Sequence, residues 1–190
     1  MRLLRVLALL MITMGVASAA PDLDPKENRM IEQDQLRKLI KVTLEELDHK
    51  TDGVIKYSTA ALELLMMTAA HESKLGTYLE QMNGPAQGIF QMEPATEEDI
   101  WDNYLHYREG LESVVEEFSL GDYTDELKWN LKYAIVMTRV HYYRVPEKLP
   151  EYEDSQFFTE LSEYCKKHYN TEDGKATAKK YLEDYFEYST

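Results

Sequence analysis

Glu72 is the residue of this chain whose type and surroundings best suit acid–base chemistry. It lies in the sequence AAHESKLG (residues 69–76), near the end of a predicted apolar helix. Apolar neighbours would remove water from the carboxylate, and the negative end of the helix dipole would oppose its charge, so we expect a raised pKa. A carboxylic acid that keeps its proton near neutral pH can act as a general acid and afterwards as a base. Glu72 is therefore the predicted catalytic residue, the alternative being a helix-end glutamate that points into water.

His71 precedes Glu72 and raises the question of a metal site. The zinc-binding pattern of metalloproteases needs a second histidine four residues after the first, and Leu75 stands there instead. We therefore expect His71 to pair with the backbone or with a carboxylate. The sequence shows no serine, histidine and aspartate arrangement, no cysteine and histidine pair and no phosphate-binding glycine loop. It predicts no metal and no cofactor.

A loop with the sequence GPAQGIFQMEP (residues 84–94) follows this helix. Its glycine and proline residues interrupt regular structure, so we expect an irregular segment or a small β-hairpin. Gly88-Ile89-Phe90-Gln91 stands at its centre, and Glu93 stands near its end. We predict that this loop forms one wall of a cleft beside Glu72.

Two predicted helices precede the loop, and they differ in polarity. Apolar residues recur at helical spacing from Ile31 to Leu47, which predicts an amphipathic helix that ends at Asp52-Gly53. The segment from about Ser58 to Leu75 is apolar on almost every side, so we place this helix at the centre of the protein. Gly76 is the residue expected to end it in the left-handed conformation.

Helical patterns also fill the rest of the chain. They are a capping box at residues 96–99, a short helix ended by Gly121, a long helix from Thr124 or Asp125 to Pro146, a helix from Asp154 or Ser155, and a last helix after Gly174. The prediction is a mainly α protein with one catalytic domain over residues 30–190, arranged around the buried central helix.

Residues 1–19 have the form of a secretory signal peptide. Two arginines, an apolar run over residues 6–16 and the small residues Ala17-Ser18-Ala19 follow one another in the required order. The run is shorter than the roughly 20 residues of a membrane span, so we expect cleavage and no stable span afterwards. The alternatives are a retained anchor and a weakly hydrophobic signal that later leaves the membrane. Residues 20–29 would form a polar linker, and the expected location is the periplasm or the exterior.

Composition restricts the partners of the chain. Its 190 residues, of which 44% are hydrophobic, fit one globular domain. The net charge of −14 disfavours nucleic acid and anionic lipid as partners, because both are polyanions. The single cysteine, Cys165, has no partner within the chain for a disulfide, and we expect a buried thiol.

Glu72-Ser73 followed by Gly88-Ile89-Phe90-Gln91 resembles the Glu-Ser and Gly-Leu-Met-Gln motifs of soluble lytic transglycosylases, which have a lysozyme-like fold. The stretch looks most like short phage-encoded members of that superfamily. Tyr169-Asn170 is similar to the third family element, a Tyr-Asn pair followed by glycine. The resemblance reaches from about residue 58 to 175 and is specific over residues 69–96.

The resemblance implies cleavage of peptidoglycan glycan strands between N-acetylmuramic acid and N-acetylglucosamine. Glu72 would protonate the bridging oxygen and then, as a base, take the proton of the sugar's own 6-hydroxyl, which closes a 1,6-anhydro ring. Gln91 would contact the sugar by hydrogen bonding and Phe90 by its ring, while Tyr169 would hydrogen-bond Glu72. The predicted substrate-binding residues are Ser73, Phe90, Gln91, Glu93 and Tyr169.

The chain departs from the family pattern in two places. The family has a serine shortly before the glycine element, and Gln81-Met82-Asn83 offers none. Residues 171–173 separate the Tyr-Asn pair from the next glycine. Tyr142 and Tyr143 therefore compete with Tyr169 as the tyrosine that supports the acid.

Other functions remain open from the sequence alone. A lysozyme-type hydrolase would need a second carboxylate, for which Glu80 and Glu93 are the candidates. Glu93 has the alternative role of a residue favoured by the dipole at the start of the next helix. A non-catalytic glycan-binding relative and a helical adaptor are the candidates from other classes. The leading expectation is a peptidoglycan-cleaving enzyme for phage entry or host lysis.

Overall fold

Helices dominate the computed structural model, which describes residues 32–121, 125–170 and 174–189. The predicted mainly α class is confirmed. The predicted signal peptide and linker lie outside the described residues. Within these ranges, no helix has the length and apolar character needed to cross a membrane.

The helices follow one another with short connections. In chain order they are α1 (Gln33–Lys50), α2 (Thr59–Ser73), α3 (Pro94–Ile100), α4 (Glu109–Glu116), α5 (Glu126–Trp129), α6 (Leu131–Tyr143), α7 (Phe157–His168) and α8 (Ala178–Tyr188), with a π-helical turn at Trp101–Leu105 after α3. Two isolated antiparallel bridges, Glu80 with Gln87 and Gln87 with Met92, give the loop after α2 a hairpin-like form.

Helix α2 runs through the centre of the protein, as its sequence predicts. Its side chains from Ala60 to Ala70 are all buried, and α1, α6, α7 and α8 pack around it. The hydroxyl of Ser58 caps its first turn by accepting a 3.1 Å hydrogen bond from the amide of Ala61. An apolar helix surrounded by other helices gains its stability from burial on every side.

The end of α2 differs from the prediction. The left-handed conformation begins at Lys74 (φ 51°) and continues through Leu75 (φ 55°) to Gly76 (φ 85°). The amide of Lys74 donates a 3.2 Å hydrogen bond to the carbonyl of Ala70, as in the αL capping motif, and the amide of Leu75 donates a 3.0 Å one to the carbonyl of Ala69. Leu75 is completely buried, so its burial offsets the strain of a left-handed non-glycine residue.

The long helix predicted before Pro146 is broken into α5 and α6. The break falls at Asn130, whose backbone is not helical (φ −92°, ψ 86°) and whose side chain accepts a 3.2 Å hydrogen bond from the amide of Tyr133. Asparagine stabilises a helix start better than a helix interior, because its side chain replaces a missing backbone partner. The apolar periodicity of this region continues across the break, which is why it predicted one helix.

Two other helix starts differ from the sequence prediction. Helix α3 begins at Pro94 with Glu93 as its N-cap residue, so Thr96 lies inside the helix and forms no capping box. Proline suits the first helical position, because its fixed φ is helical and its missing N–H has no partner there. Helix α7 begins at Phe157, slightly after the predicted start.

Helix α8 packs along α2 and α7 and brings its own polar side chains to α2. Its start agrees with the predicted last helix, and the Thr177 hydroxyl caps it by accepting a 3.1 Å hydrogen bond from the amide of Lys180. Cys165 of α7 is completely buried, as predicted, and burial raises the pKa of its thiol to about 12.

Candidate active site

A cavity of about 500 Å³ opens where the end of α2 meets the loop after it and the end of α7. Four of the six predicted site residues line it together: Glu72, Gln91, Glu93 and Tyr169. Its volume falls within the roughly 300–1,000 Å³ of small-molecule sites. The structure therefore gathers around one cavity residues that lie far apart in the chain.

Glu72 is partly buried on the wall of this cavity, and its pKa is raised. Burial is the largest cause, because it removes water from the charged form. A hydrogen bond from Tyr181 and the charge of His71 act in the opposite direction, and the charge of Asp184 raises the pKa further. Burial outweighs the two opposing effects, which gives the direction that the sequence predicts.

The tyrosine that supports Glu72 is Tyr181, and the assignment of this role to Tyr169 is wrong. The Tyr181 hydroxyl donates a 2.7 Å hydrogen bond to Oε1 of Glu72. Tyr169 instead donates a 2.7 Å hydrogen bond to the carbonyl of Phe90. Tyr169 follows the last turn of α7 and faces the loop, whereas Tyr181 stands on α8, which packs directly along α2.

Neither of the two competing tyrosines supports the acid. The Tyr142 hydroxyl is completely buried and lies 2.9 Å from the Thr68 hydroxyl. The ring of Tyr143 lies 5.6 Å from the guanidinium of Arg139. The Tyr-Asn resemblance therefore leads to a residue of the cavity wall, but not to the hydrogen-bond partner of Glu72.

Ser73 and Phe90 do not line the cavity, contrary to their assignment as substrate-binding residues. Ser73 is completely buried; its hydroxyl donates a 2.5 Å hydrogen bond to the carbonyl of Ile89 and accepts a 2.8 Å one from the amide of Gly76. Phe90 is only 1% exposed and belongs to the hydrophobic core. Both residues fasten the loop to the protein and leave no surface for a ligand.

The loop around Gly88 is held in a tight turn. Gln87 and Met92 exchange two backbone hydrogen bonds of 2.9 and 3.0 Å, which closes the four residues between them. Gly88 has a φ of +73°, and a Cβ atom at this position would lie 1.9 Å from the carbonyl oxygen of Leu127. Glycine is required here both for the left-handed backbone and for the close approach of α5.

Gln91 is fixed by this turn. Its backbone is left-handed (φ 47°), and its side-chain amide donates a 2.7 Å hydrogen bond to the carbonyl of Gly88. The neighbouring carbonyls of Ile89 and Phe90 accept hydrogen bonds from Ser73 and Tyr169, respectively. A polar group on a loop held from two sides loses little freedom when a ligand binds.

Among the described residues, Glu93 is the second carboxylate, after Glu72, that lines the cavity. It is exposed and forms the N-cap of α3 without a side-chain capping bond. Glu80, the other candidate for a second carboxylate, does not line the cavity and forms a 2.7 Å ion pair with Lys128. Geometry therefore favours Glu93 over Glu80 as a possible second acid.

The sequence did not point to His141 and Lys175, which also line the cavity; Asn170, of the Tyr-Asn pair, lies there too. Burial lowers the pKa of His141 to about 4, and its Nε2 donates a 2.9 Å hydrogen bond to the carbonyl of His168. His141 is thus neutral at neutral pH and has one ring nitrogen committed to the backbone. No local pattern marks it, because it stands in an ordinary helical position of α6.

Charges of both signs lie on the cavity wall. Glu72 and Glu93 are its carboxylates, and Lys175 brings an exposed ammonium to the edge near α8. Lys166 fixes the position of this edge, because its ammonium donates hydrogen bonds of 3.4 Å to Asn170 and 3.1 Å to the carbonyl of Gly174. In residues 32–121, 125–170 and 174–189, no group of His, Cys, Asp and Glu side chains is arranged to hold a metal ion.

Comparisons with protein-family models, with curated proteins and with solved structures found no match to this chain.

The geometry of the cavity combines a proton donor with a ligand-sized space. Glu72 retains its proton to higher pH than an ordinary glutamate, and Tyr181 fixes one of its carboxyl oxygens. A donor of this kind can protonate a leaving oxygen and afterwards take a proton from a hydroxyl held in the same cavity. Gln91 supplies a polar group of the neutral kind that binds sugar hydroxyls and amides.

Proposed function

We propose that the protein is a peptidoglycan lytic transglycosylase with a lysozyme-like fold, in which Glu72 is the catalytic acid and base. The observation that carries the proposal is the position of Glu72: a carboxyl group with a raised pKa at the wall of the cavity that Gln91 and Tyr169 also line. A buried apolar helix that delivers the acid, followed directly by a tight glycine loop, supports the same assignment.

The reaction needs one carboxyl group and no water. Protonated Glu72 donates its proton to the oxygen between N-acetylmuramic acid and N-acetylglucosamine, and the bond from that oxygen to C1 of the muramyl sugar breaks. The resulting carboxylate then takes the proton of the 6-hydroxyl of the same sugar, whose oxygen bonds to C1. Glu72 is thereby protonated again, and the products are a free glycan end and a 1,6-anhydromuramyl end.

Tyr181 contributes to this cycle through its hydrogen bond to Oε1 of Glu72. It keeps the carboxyl group in one orientation and leaves the other oxygen to face the substrate. Gln91 and Tyr169 bind the sugars next to the bond that breaks. The proposed setting is the periplasm or the exterior, reached by the signal peptide at residues 1–19, and a role in phage entry or host lysis.

Loss of cleavage in Glu72→Gln protein tests the proposal. Glutamine keeps the size and polarity of the side chain but cannot donate an acidic proton, so solubilisation of purified peptidoglycan is expected to fall by roughly 10²–10⁴-fold. Glu80→Gln is the matched control, because Glu80 stands outside the cavity, and it is expected to keep wild-type activity. Undiminished cleavage by folded Glu72→Gln protein would refute the assignment.

A lysozyme-type hydrolase is the second candidate, and the presence of Glu93 in the same cavity favours it. A hydrolase needs a second carboxylate to activate water or to take up the glycosyl group. Product analysis separates the two reactions: 1,6-anhydromuramyl ends identify the transglycosylase, and free reducing ends identify the hydrolase. Glu93→Gln is expected to leave transglycosylase turnover within about threefold of wild type, whereas a hydrolase that used Glu93 would lose at least about a hundredfold.

A non-catalytic glycan-binding protein makes a different prediction. Such a protein would bind peptidoglycan fragments without cutting them, and Glu72→Gln would leave the affinity unchanged. Wild-type protein that binds the fragments and releases neither kind of product end would establish this alternative.

A further inference from the structure

His71 and Asp184 form a nearly buried pair behind Glu72. Nδ1 of His71 lies 2.7 Å from Oδ2 of Asp184, and the two side chains are only 13% and 7% exposed. Because a carboxylate can only accept, Nδ1 carries the proton and donates it. Lys180 holds the other carboxylate oxygen with a 2.5 Å hydrogen bond. The pair is therefore fixed in position, with Nδ1 of His71 protonated.

The ring of His71 lies against the ring of Tyr181. Their centroids are 3.8 Å apart, and the ring planes are inclined by 31°. Tyr181 in turn donates its 2.7 Å hydrogen bond to Glu72. A continuous series of contacts thus joins Asp184 to the proposed catalytic acid through His71 and Tyr181.

We propose that His71 and Asp184 are positioning residues, which hold the phenol of Tyr181 against Glu72 and thereby set the orientation of the acid. This inference rests on the proposed function for its kinetic consequences. Its structural content does not depend on the reaction, because it states that the environment of Glu72 changes when the pair is broken.

A purely structural role for the pair is the competing explanation. His71 and Asp184 would then serve only to attach α8 to α2. That attachment exists elsewhere: Glu63 of α2 accepts a 2.6 Å hydrogen bond from Tyr185 of α8 and pairs with Arg37. The second connection allows the His71–Asp184 pair to be broken without freeing α8.

The ionisable groups near Glu72 come from three packed helices. They are His71 on α2 itself, Asp184 and Tyr181 on α8, and Cys165 and Tyr169 from α7 and its end. The charge of His71 and the hydrogen bond from Tyr181 both lower the pKa of Glu72. Loss of His71 removes the first effect and weakens the second, so both changes move the titration of Glu72 to higher pH.

The experiment compares His71→Ala, Asp184→Ala and Asp184→Asn with wild type. In the two alanine variants, kcat on peptidoglycan is expected to fall about tenfold, while KM stays within about twofold of wild type. The loss of kcat is smaller than the roughly 10²–10⁴-fold contribution of general acid catalysis, because Glu72 itself is still present. In His71→Ala, the alkaline limb of the pH–rate profile is expected to move upward. Asp184→Asn, whose amide oxygen still accepts from Nδ1, is expected to restore most of the rate.

His168→Ala is the matched control. His168 also pairs with a carboxylate, Glu147 at 3.1 Å, and its ring lies 4.4 Å from that of Tyr164, but it stands outside the cavity. It is expected to keep the wild-type rate and pH profile. Equal losses in His71→Ala and His168→Ala, or a lower rate in His71→Ala without movement of the alkaline limb, would overturn the proposal.

Carbon-13 NMR titration of the Glu72 carboxyl group separates this inference from the proposed function. If the wild type cleaves no peptidoglycan, the titration still decides: an upward move in His71→Ala supports the inference, and an unchanged titration refutes it. If His71→Ala does not fold, Asp184→Ala carries the same test through its loss of kcat and through the changed chemical shift expected at Glu72.

Discussion

The phenol of Tyr181 on α8 donates a 2.7 Å hydrogen bond to the carboxyl group of Glu72 on α2. One turn further along α8, Tyr185 donates a 2.6 Å hydrogen bond to Glu63, which lies nearer the start of α2. The two helices are thus joined by two similar tyrosine–glutamate pairs, of which only the first lies at the cavity. Helix α8 therefore completes the candidate site.

Tyr181→Phe is expected to raise the pKa of Glu72 and to slow the proposed cleavage of peptidoglycan. The lost hydrogen bond favours the charged form, so its removal raises the pKa, and the alkaline limb of the pH–rate profile moves to higher pH. A less well-oriented acid is expected to reduce kcat about tenfold or more. The measurement is kcat on peptidoglycan as a function of pH.

Tyr185→Phe provides the comparison for this variant. It removes the same group from the same helix and leaves a buried carboxylate with one partner fewer, so it is expected to cost stability, about 1–3 kcal/mol, and not kcat. Similar kinetic losses in both variants would mean that α8 acts only by packing, and would contradict a specific role for Tyr181.

Glu72 is expected to destabilise the fold at neutral pH. Its folded-state pKa lies above the unfolded-state value of about 4.3, so the folded state binds the proton more tightly. Stability therefore falls as pH rises through the interval between these two values. The advantage of Glu72→Gln over wild type is expected to grow between pH 4 and pH 7, by about 1.4 kcal/mol for each unit of pKa shift. Urea unfolding at both pH values measures it.

Glu147→Gln should show the opposite trend. The ammonium of Lys167 and, to a lesser extent, His168 lower the pKa of this exposed carboxyl group. A carboxyl group with a lowered folded-state pKa adds stability at pH values above its unfolded-state pKa. Glu147→Gln protein is therefore expected to become less stable relative to wild type as pH rises. If Glu72→Gln followed the same trend as Glu147→Gln, the raised pKa of Glu72 would be disproved.

Local patterns are sufficient to predict α2, the tight loop after it and the position of Glu72 in the last turn of α2. Helical periodicity and the interruption of a helix by glycine and proline are properties of neighbouring residues. Gly88 is a clear case, because its left-handed backbone is one that glycine adopts without strain. The meeting of Glu72 with Gln91 in one cavity follows from the same short segment.

The partners that surround Glu72 depend on contacts between distant helices. Tyr181 lies 109 residues after Glu72, and its hydroxyl is aimed by the packing of α8 on α2, which no local pattern encodes. Ser73 shows the same limit at short range. A motif places it beside the acid, but only the direction of the last turn of α2 decides that its hydroxyl faces the loop and not the cavity.

Ser73→Ala is expected to cost stability and to disturb the loop. It removes the hydrogen bond to Ile89 and leaves that carbonyl and the amide of Gly76 without their side-chain partner in the interior. The free energy of unfolding should fall by about 1–3 kcal/mol. Ser113→Ala, at an exposed position of α4, should stay within about 0.5 kcal/mol of wild type. Similar urea midpoints for the two variants would argue against the fastening role of Ser73.

Gly88→Ala tests the geometry of the loop most directly. The new Cβ atom would lie 1.9 Å from the backbone oxygen of Leu127, which no side-chain rotation can relieve, and its left-handed backbone adds strain. We expect a loss of roughly 2–4 kcal/mol in unfolding free energy and a displaced Gln91.

Gly110→Ala is the matched control for this substitution. Gly110 lies in α4, and a Cβ atom there would meet no other atom within 4 Å. Alanine favours a helix over glycine by up to about 1 kcal/mol, so this variant should match or exceed wild-type stability. Thermal unfolding is therefore expected to show a lower stability for Gly88→Ala and an equal or higher stability for Gly110→Ala than for wild type. Peptidoglycan cleavage is expected to be lost in Gly88→Ala alone. A stable Gly88→Ala protein would show that the loop and α5 do not approach as closely as the structure places them.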